Sequence, residues 1–167
     1  MGKATLKDVY GNRAFEQVTQ AAANDLTFEQ IQFGVGLFQG IAMVISRVEW
    51  FPSSIAEIVA ASDRLEMALT NRDDLSDLSP TNQNVLVKAC LAGAAIPAVM
   101  HKDPVISDLS TLPGGGLIIP ANPLYMAVKT AGYAAAATIN AIIYFVFRQL
   151  ADSEYIELIQ TIMPANL

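Results

Sequence analysis

Residues 63–70 read DRLEMALT and alternate without a break. Asp63, Leu65, Met67 and Leu69 fall on one side, Arg64, Glu66, Ala68 and Thr70 on the other. A period of two sends successive side chains to opposite faces of a strand. The spacing therefore predicts a strand that buries Leu65, Met67 and Leu69 and turns Arg64 and Glu66 to water. At helical spacing the same apolar residues scatter around the cylinder, so a helix is the poorer description.

The alternation recurs on either side of this segment. Residues 41–50 (IAMVISRVEW) group as Ile41, Met43, Ile45, Arg47 and Glu49 on one face, and Ala42, Val44, Ser46, Val48 and Trp50 on the other. Both faces are apolar at the start, as in a central strand running outward to a rim. Residues 26–33, 84–91, 117–119 and 124–130 read as further strands. In the last long strand, 138–148, Ile139, Ala141, Ile143, Phe145 and Phe147 form a wholly apolar face opposite Tyr144. Gly34, Gly36 and Gly40 mark a bend. Ser54 with Glu57 has the form of a capping box, predicting a short helix over 55–61. Residues 71–82 are polar and read as a solvated loop. The prolines and glycines between 97 and 123 exclude a helix of normal length there and leave room for one or two short strands. At the tail the period changes: Tyr155, Ile156, Leu158, Ile159 and Ile162 recur at helical spacing, with Asp152 or Ser153 as N-cap and Pro164 as the stop. The fold class predicted is all-β, a two-sheet antiparallel sandwich of about eight strands with one or two short helices, one of them C-terminal. Residues 1–25 read as an N-terminal arm and 26–167 as a single domain.

Composition bounds the function. Hydrophobic residues make up 53% of the 167-residue chain and charged ones 16%, against roughly 25% charged in typical domains. The mean hydropathy is +0.37. So little charge predicts a surface buried against other subunits or touching lipid. The net charge of −6 opposes binding to phosphate. Lys3, Lys7 and Arg13 are too sparse for a basic arm, so no direct nucleic-acid binding is expected. No signal peptide is read at the N-terminus, and Leu6 stands where a myristoylation signal needs Ser or Thr.

No catalytic residue is assigned. His101, beside Lys102 and Asp103, is the one histidine and reads as a solvated loop residue without a serine elbow. Gly114, Gly115 and Gly116 are followed by Leu-Ile-Ile-Pro, which lacks a phosphate-binding pattern and reads as a turn. No metal site is assigned either: Asp73, Asp74 and Asp77 lack the ligand spacing of a calcium loop, although a weak site shared with a neighbouring subunit stays open. Cys90, the single cysteine, excludes an internal disulfide and reads as a buried thiol in an apolar run. The triplet Phe-Glu-Gln at 15–17 and 28–30 is too short to be a repeat. Trp50, Phe51, Tyr125, Tyr133 and Tyr144, near strand ends or on second faces, are the candidate subunit-interface residues, since interface cores favour aromatics.

The segments IAMVISRVEWFP (41–52), DRLEMALTNR (63–72) and 123–163, ending YFVFRQLADSEYIELIQTIM, together resemble single jelly-roll capsid proteins of tailless icosahedral viruses. The resemblance implies a jelly-roll sandwich that self-assembles with copies of itself into a closed shell in the virion, built in the host cytoplasm. It admits a second capsid protein or an internal viral membrane as further partners, and implies no cofactor, no small-molecule substrate and no enzymatic activity. Two alternatives remain open at this point: a non-viral β-sandwich binding or adhesion module, and a small integral membrane protein using the uncharged run 131–147 as a span.

Overall fold

The computed structural model describes residues 11–33, 40–53, 55–93 and 104–162. The readings placed on Lys3, Lys7, Gly34, Gly36, Ser54, His101, Lys102, Asp103 and Pro164 lie outside them.

Among the described residues nine strands and two helical segments follow in order: β1 (Asn12–Thr19), β2 (Thr27–Ile31), β3 (Ile41–Pro52), a single 3₁₀ turn (Ile55–Glu57), β4 (Arg64–Thr70), β5 (Val85–Ala92), β6 (Val105–Asp108), β7 (Leu117–Pro120), β8 (Leu124–Ala131), β9 (Thr138–Gln149) and α1 (Asp152–Ile162). Sheet A has the order β1-β9-β3-β6, with β7 also on β3; sheet B has the order β2-β8-β4-β5. The pairings are nested: β1 with β9, β2 with β8, β3 with β6 and β7, β4 with β5, all antiparallel. One long antiparallel ribbon is thus folded over on itself into two sheets, which is the jelly-roll arrangement.

The alternation at 63–70 holds for the core side. Leu65, Met67 and Leu69 are fully buried between the sheets and Arg64 is exposed, but Glu66, expected to meet water, is mostly covered in its pair with Lys88, and Ala68 and Thr70 are buried. In β9 the predicted register is also observed: Ile139, Ala141, Ile143 and Phe145 face the core, while Tyr144 points outward. Phe33, Phe145 and Phe147 close one part of the core with edge-to-face contacts, the Phe33 and Phe145 rings 5.0 Å apart. Those contacts add modestly to the burial itself. The run 131–147 is therefore not a spanning helix, because most of it is a strand in the middle of sheet A. Among the described residues no helix is long and apolar enough to cross a membrane.

Several expectations change. Residues 12–19, read as part of an arm, form β1 and pair with β9 along its length. β3 carries a bulge between Ile45 and Arg47. The extra residue, Ser46, takes the backbone NH of Leu109 on its carbonyl at 2.9 Å. A bulge reverses the phase of everything after it. Met43 and Ile45 therefore face inward with Val48 and Trp50, and Arg47 and Glu49 face outward. The helix read over 55–61 is only the 3₁₀ turn, because the Glu57 carboxylate accepts from Ala134 N and Ala135 N on a neighbouring loop instead of closing a helix. Gly114 and Gly115 have φ of +88° and +81° and form a sharp turn between β6 and β7. The 71–84 connection is not wholly solvated: Leu78 is 1% exposed and covers Ala68 and Ala127 on the outer face of sheet B. The change of period at the tail is observed as α1, but Asp152 and Ser153, expected as N-cap, are its first two residues, and the Glu154 carboxylate accepts from Ala151 N at 3.1 Å.

Candidate functional site

The five aromatic interface candidates separate. Trp50 is 0% exposed and Tyr133 4%. Both are core residues, so their assignment to an interface is corrected. Trp50 sits inward because of the β3 bulge, and its Nε1 donates to Ser107 Oγ at 3.1 Å. Tyr133 is held in a corner where burial, then Glu57 and Asp63, push its phenol well above the usual range. Tyr125 is half-buried on the outer face of sheet B. Its hydroxyl is held up by desolvation and then by Asp73 and Asp74.

Phe51 and Tyr144 remain, and the fold brings them together on the outer face of sheet A. The strand register arranges that face in rows. One row runs Arg13–Tyr144–Arg47–Asp108 from β1 to β6, the next Phe15–Ile142–Glu49–Ile106, and a third Gln17–Asn140–Phe51. Phe15 is 68% exposed and Ile106 49%, at opposite ends of one row. A large exposed apolar side chain at each edge, with Ile142 between, is the kind of patch that marks a contact surface. A hollow of about 260 Å³ opens between Phe15, Phe51 and Ile142. Along its rim Gln17 Nε2 donates to Asn140 Oδ1 at 2.9 Å. Arg47 pairs with Glu49 and lies over the Tyr144 ring, 5.7 Å from its centroid. Arg13 lies 5.8 Å from the Phe15 centroid. Asp108 is held below the usual carboxylate range by the hydroxyl and backbone NH of Ser110.

The other half of this face is closed. α1 packs against β7, and there the outward Ala42 and Val44 are buried, as is Tyr155 of the helix.

Phe15, Ile106 and Ile142 escaped the sequence reading. In RAFEQVT the two faces of β1 are Arg13, Phe15, Gln17, Thr19 and Ala14, Glu16, Val18. Each mixes apolar with polar residues, so neither is marked as the core side.

The remaining sequence candidates are spread over sheet B and its loops. Cys90 is exposed on edge strand β5, contrary to the buried reading, because its register partner Glu66 places it on the outer face. Its thiol is pushed up by desolvation and by Glu66. Glu66 is ion-paired with Lys88 at 2.8 Å. Asp74 accepts from Arg72 Nε at 2.8 Å, and Asp77 accepts from Ser79 N. Among the described residues no group of three carboxylate, thiol or imidazole side chains is placed to hold a metal ion.

At the open edge of the sandwich β1 and β2 bring Glu16 and Glu29 toward each other. The Glu16 carboxyl is raised above its ordinary value, first by desolvation and then by Glu29. The folded state then holds that proton more tightly than the unfolded chain. Stability from this group is present below the ordinary glutamate pKa and is lost as pH rises through the folded value. Glu16→Gln is expected to stabilise the protein at pH 7 by less than about 1 kcal/mol, since the side chain is partly solvated. The gain should vanish below about pH 4, near the ordinary glutamate pKa. Urea melts of both proteins at several pH values check this; an equal gain at all pH values assigns it to something other than ionisation.

No protein-family model matches the sequence, and no curated protein sequence matches it. Solved structures do. The chain is similar to Merkel cell polyomavirus VP1 in complex with GD1a oligosaccharide, with a TM-score of 0.55 at 7% identity, covering 88% of this chain and 99% of that one. It is similar to the unassembled VP1 pentamer of the same virus, with a TM-score of 0.51 at 7% identity, covering 90% and 97%. A chain of tomato aspermy virus aligns at a TM-score of 0.44 and 15% identity, covering 86% and 79%. The likeness to the two VP1 structures agrees with the strand order in giving a jelly-roll sandwich fold.

Proposed function

We propose that this chain is a viral capsid subunit that assembles with copies of itself into an icosahedral shell. The observation that carries the reading is the outer face of sheet A, where Phe15 and Ile106 stand open to solvent at the two ends of one row of a jelly-roll sandwich, with Ile142 half-buried between them. Shells close through many modest interfaces repeated by symmetry, and such a patch supplies one. The low charge content is the composition such a subunit needs. The function is structural and not enzymatic, no cofactor is required, and the protein's place is the virion, after assembly in the host cytoplasm. A second capsid protein or an internal membrane takes over the genome contact that an acidic coat does not make. Arg47, Arg72 and Lys88 support that last step, because each is already ion-paired within the chain.

Negative-stain microscopy of the purified protein over rising concentration tests the assembly. Capsomers or closed particles are expected, and a monomer that persists to millimolar concentration overturns it. A mobility-shift titration with RNA and duplex DNA tests the genome contact. Binding weaker than about 10⁻⁴ M at physiological salt is expected, and salt-sensitive micromolar binding means a basic patch is present. A β-sandwich binding module is the second reading, favoured by the ring of Phe15 beside the Gln17 and Asn140 amides.

A further inference from the structure

We infer that the open half of the outer face of sheet A is self-complementary: it pairs with the same face of a second copy about a two-fold axis that runs along the strands, between β9 and β3. This goes beyond shell assembly in naming the contact, and it stands or falls separately from the shell.

Stacking two such faces about an axis parallel to the strands keeps each row in register and reverses its order, so β1 of one copy lies over β6 of the other. The row Arg13–Tyr144–Arg47–Asp108 then meets itself reversed. The Arg13 guanidinium faces the Asp108 carboxylate at both ends of the row, and Tyr144 faces Arg47 in the middle. The adjacent row places Phe15 over Ile106, again at both ends, and Ile142 over Glu49 beside the Arg47 that neutralises it. Each exposed apolar end thus finds an apolar partner, and each unpaired charge an opposite one. An axis across the strands does not do this, since it sets Arg13 on the β1 side of both copies.

Charge agrees. The chain carries a net charge of −6, but these rows hold two arginines, Arg13 and Arg47, against Glu49 and Asp108. Two neutral faces approach without the repulsion that opposes contact elsewhere on the surface. Sheets packed face to face sit ~10 Å apart with strands within ~30° of each other, a distance that side chains of the size of Arg, Phe and Ile span from both sides.

Size sets the strength. Four strands ~4.8 Å apart and three rows spaced by two residues give a patch roughly 20 Å square. That is well below the ~800 Å² per partner of a standard interface. The isolated pair is therefore weak, and it holds firmly only where several contacts act together.

Sedimentation equilibrium of the full-length protein up to about 1 mM tests the pairing, with circular dichroism confirming that each variant is folded. The wild type should fit a monomer–dimer equilibrium. Arg13→Glu and Asp108→Arg should each weaken it at least about tenfold, and the double variant should recover to within about threefold, as expected for charges that meet across the axis. Phe15→Glu with Ile106→Lys supplies an independent pair with the same pattern, in case Asp108→Arg disturbs the turn held by Ser110. Association that none of these substitutions alters overturns the proposal, as does a wild type that stays monomeric. Particles that form with these variants unaffected leave the shell reading standing and remove the pairing. A dimer that obeys the charge exchange and never grows does the reverse.

Discussion

Replacing Trp50 with alanine is expected to destabilise the fold by about 3–5 kcal/mol, the range for truncating a large buried aromatic residue. Trp50 is fully buried in the core, on the inward row that also holds Ala141 and Val105. Its loss opens a cavity between the sheets that their backbones cannot close without breaking the β3–β9 pairing. It also removes the donor to Ser107 Oγ on β6, so that strand loses an anchor. The measurement is a denaturant melt of the isolated subunit. A lower midpoint is expected in Trp50→Ala at concentrations where the subunit is monomeric. Phe51→Ala, one residue on and outward-facing, should leave the melt nearly unchanged and act on association instead. The reverse outcome places the phase change somewhere other than Ser46.

That pair of neighbours shows what the sequence could and could not tell. In β4 and β9 the alternation is uninterrupted, so the buried faces Leu65–Met67–Leu69 and Ile139–Ala141–Ile143–Phe145 were legible from spacing alone. The C-terminal helix was legible for the same reason, from a change of period. β3 has the same kind of pattern but takes one extra residue at Ser46, and no local preference marks it. The bulge is set by Leu109 reaching the Ser46 carbonyl from a segment 63 residues away. Read without it, Trp50 and Val48 fall on the same face as Ala42 and Val44, which is the wrong side. The contact face was hidden for a different reason. It is assembled from β1, β3, β6 and β9, and only the strand order brings Phe15, Ile142 and Ile106 onto one row. The candidates Phe51 and Tyr144 were named on composition and position, and they share this face because two outward residues on adjacent strands of one sheet must.

A polar corner gives the second large effect, and here sequence offered no signal. Gln20 is 3% exposed. Its Oε1 accepts from Ala137 N at 2.9 Å and from Thr130 Oγ1 at 3.1 Å, and its Nε2 donates to Asp25 O at 2.6 Å. Asn24, with φ of +67°, donates from its backbone N to Thr130 Oγ1 and exchanges two bonds with the backbone of Tyr133. One side chain thus ties the β1–β2 connection to the β8–β9 connection, joining the two sheets at that end. Residues 20–25, read as part of an arm, are thereby bonded to both β8 and the segment before β9. Removing the amide strands buried groups that water cannot reach, and each buried group left without a partner costs about 1–3 kcal/mol. Gln20→Ala is therefore expected to lose about 2–5 kcal/mol, more than a surface glutamine by several-fold. Gln20→Glu keeps the acceptor for Ala137 N and Thr130 but loses the donor and buries a charge. It should recover part of the loss only as the pH is lowered and the carboxyl is protonated. Hydrogen exchange locates the effect: the Ala137 amide, protected in the wild type, should exchange much faster in Gln20→Ala than the change in global stability accounts for. Equal acceleration at Ala137 and at core amides such as Met67 means the corner opens only with the whole domain, and the amide is then one bond among many and not the clasp between the sheets.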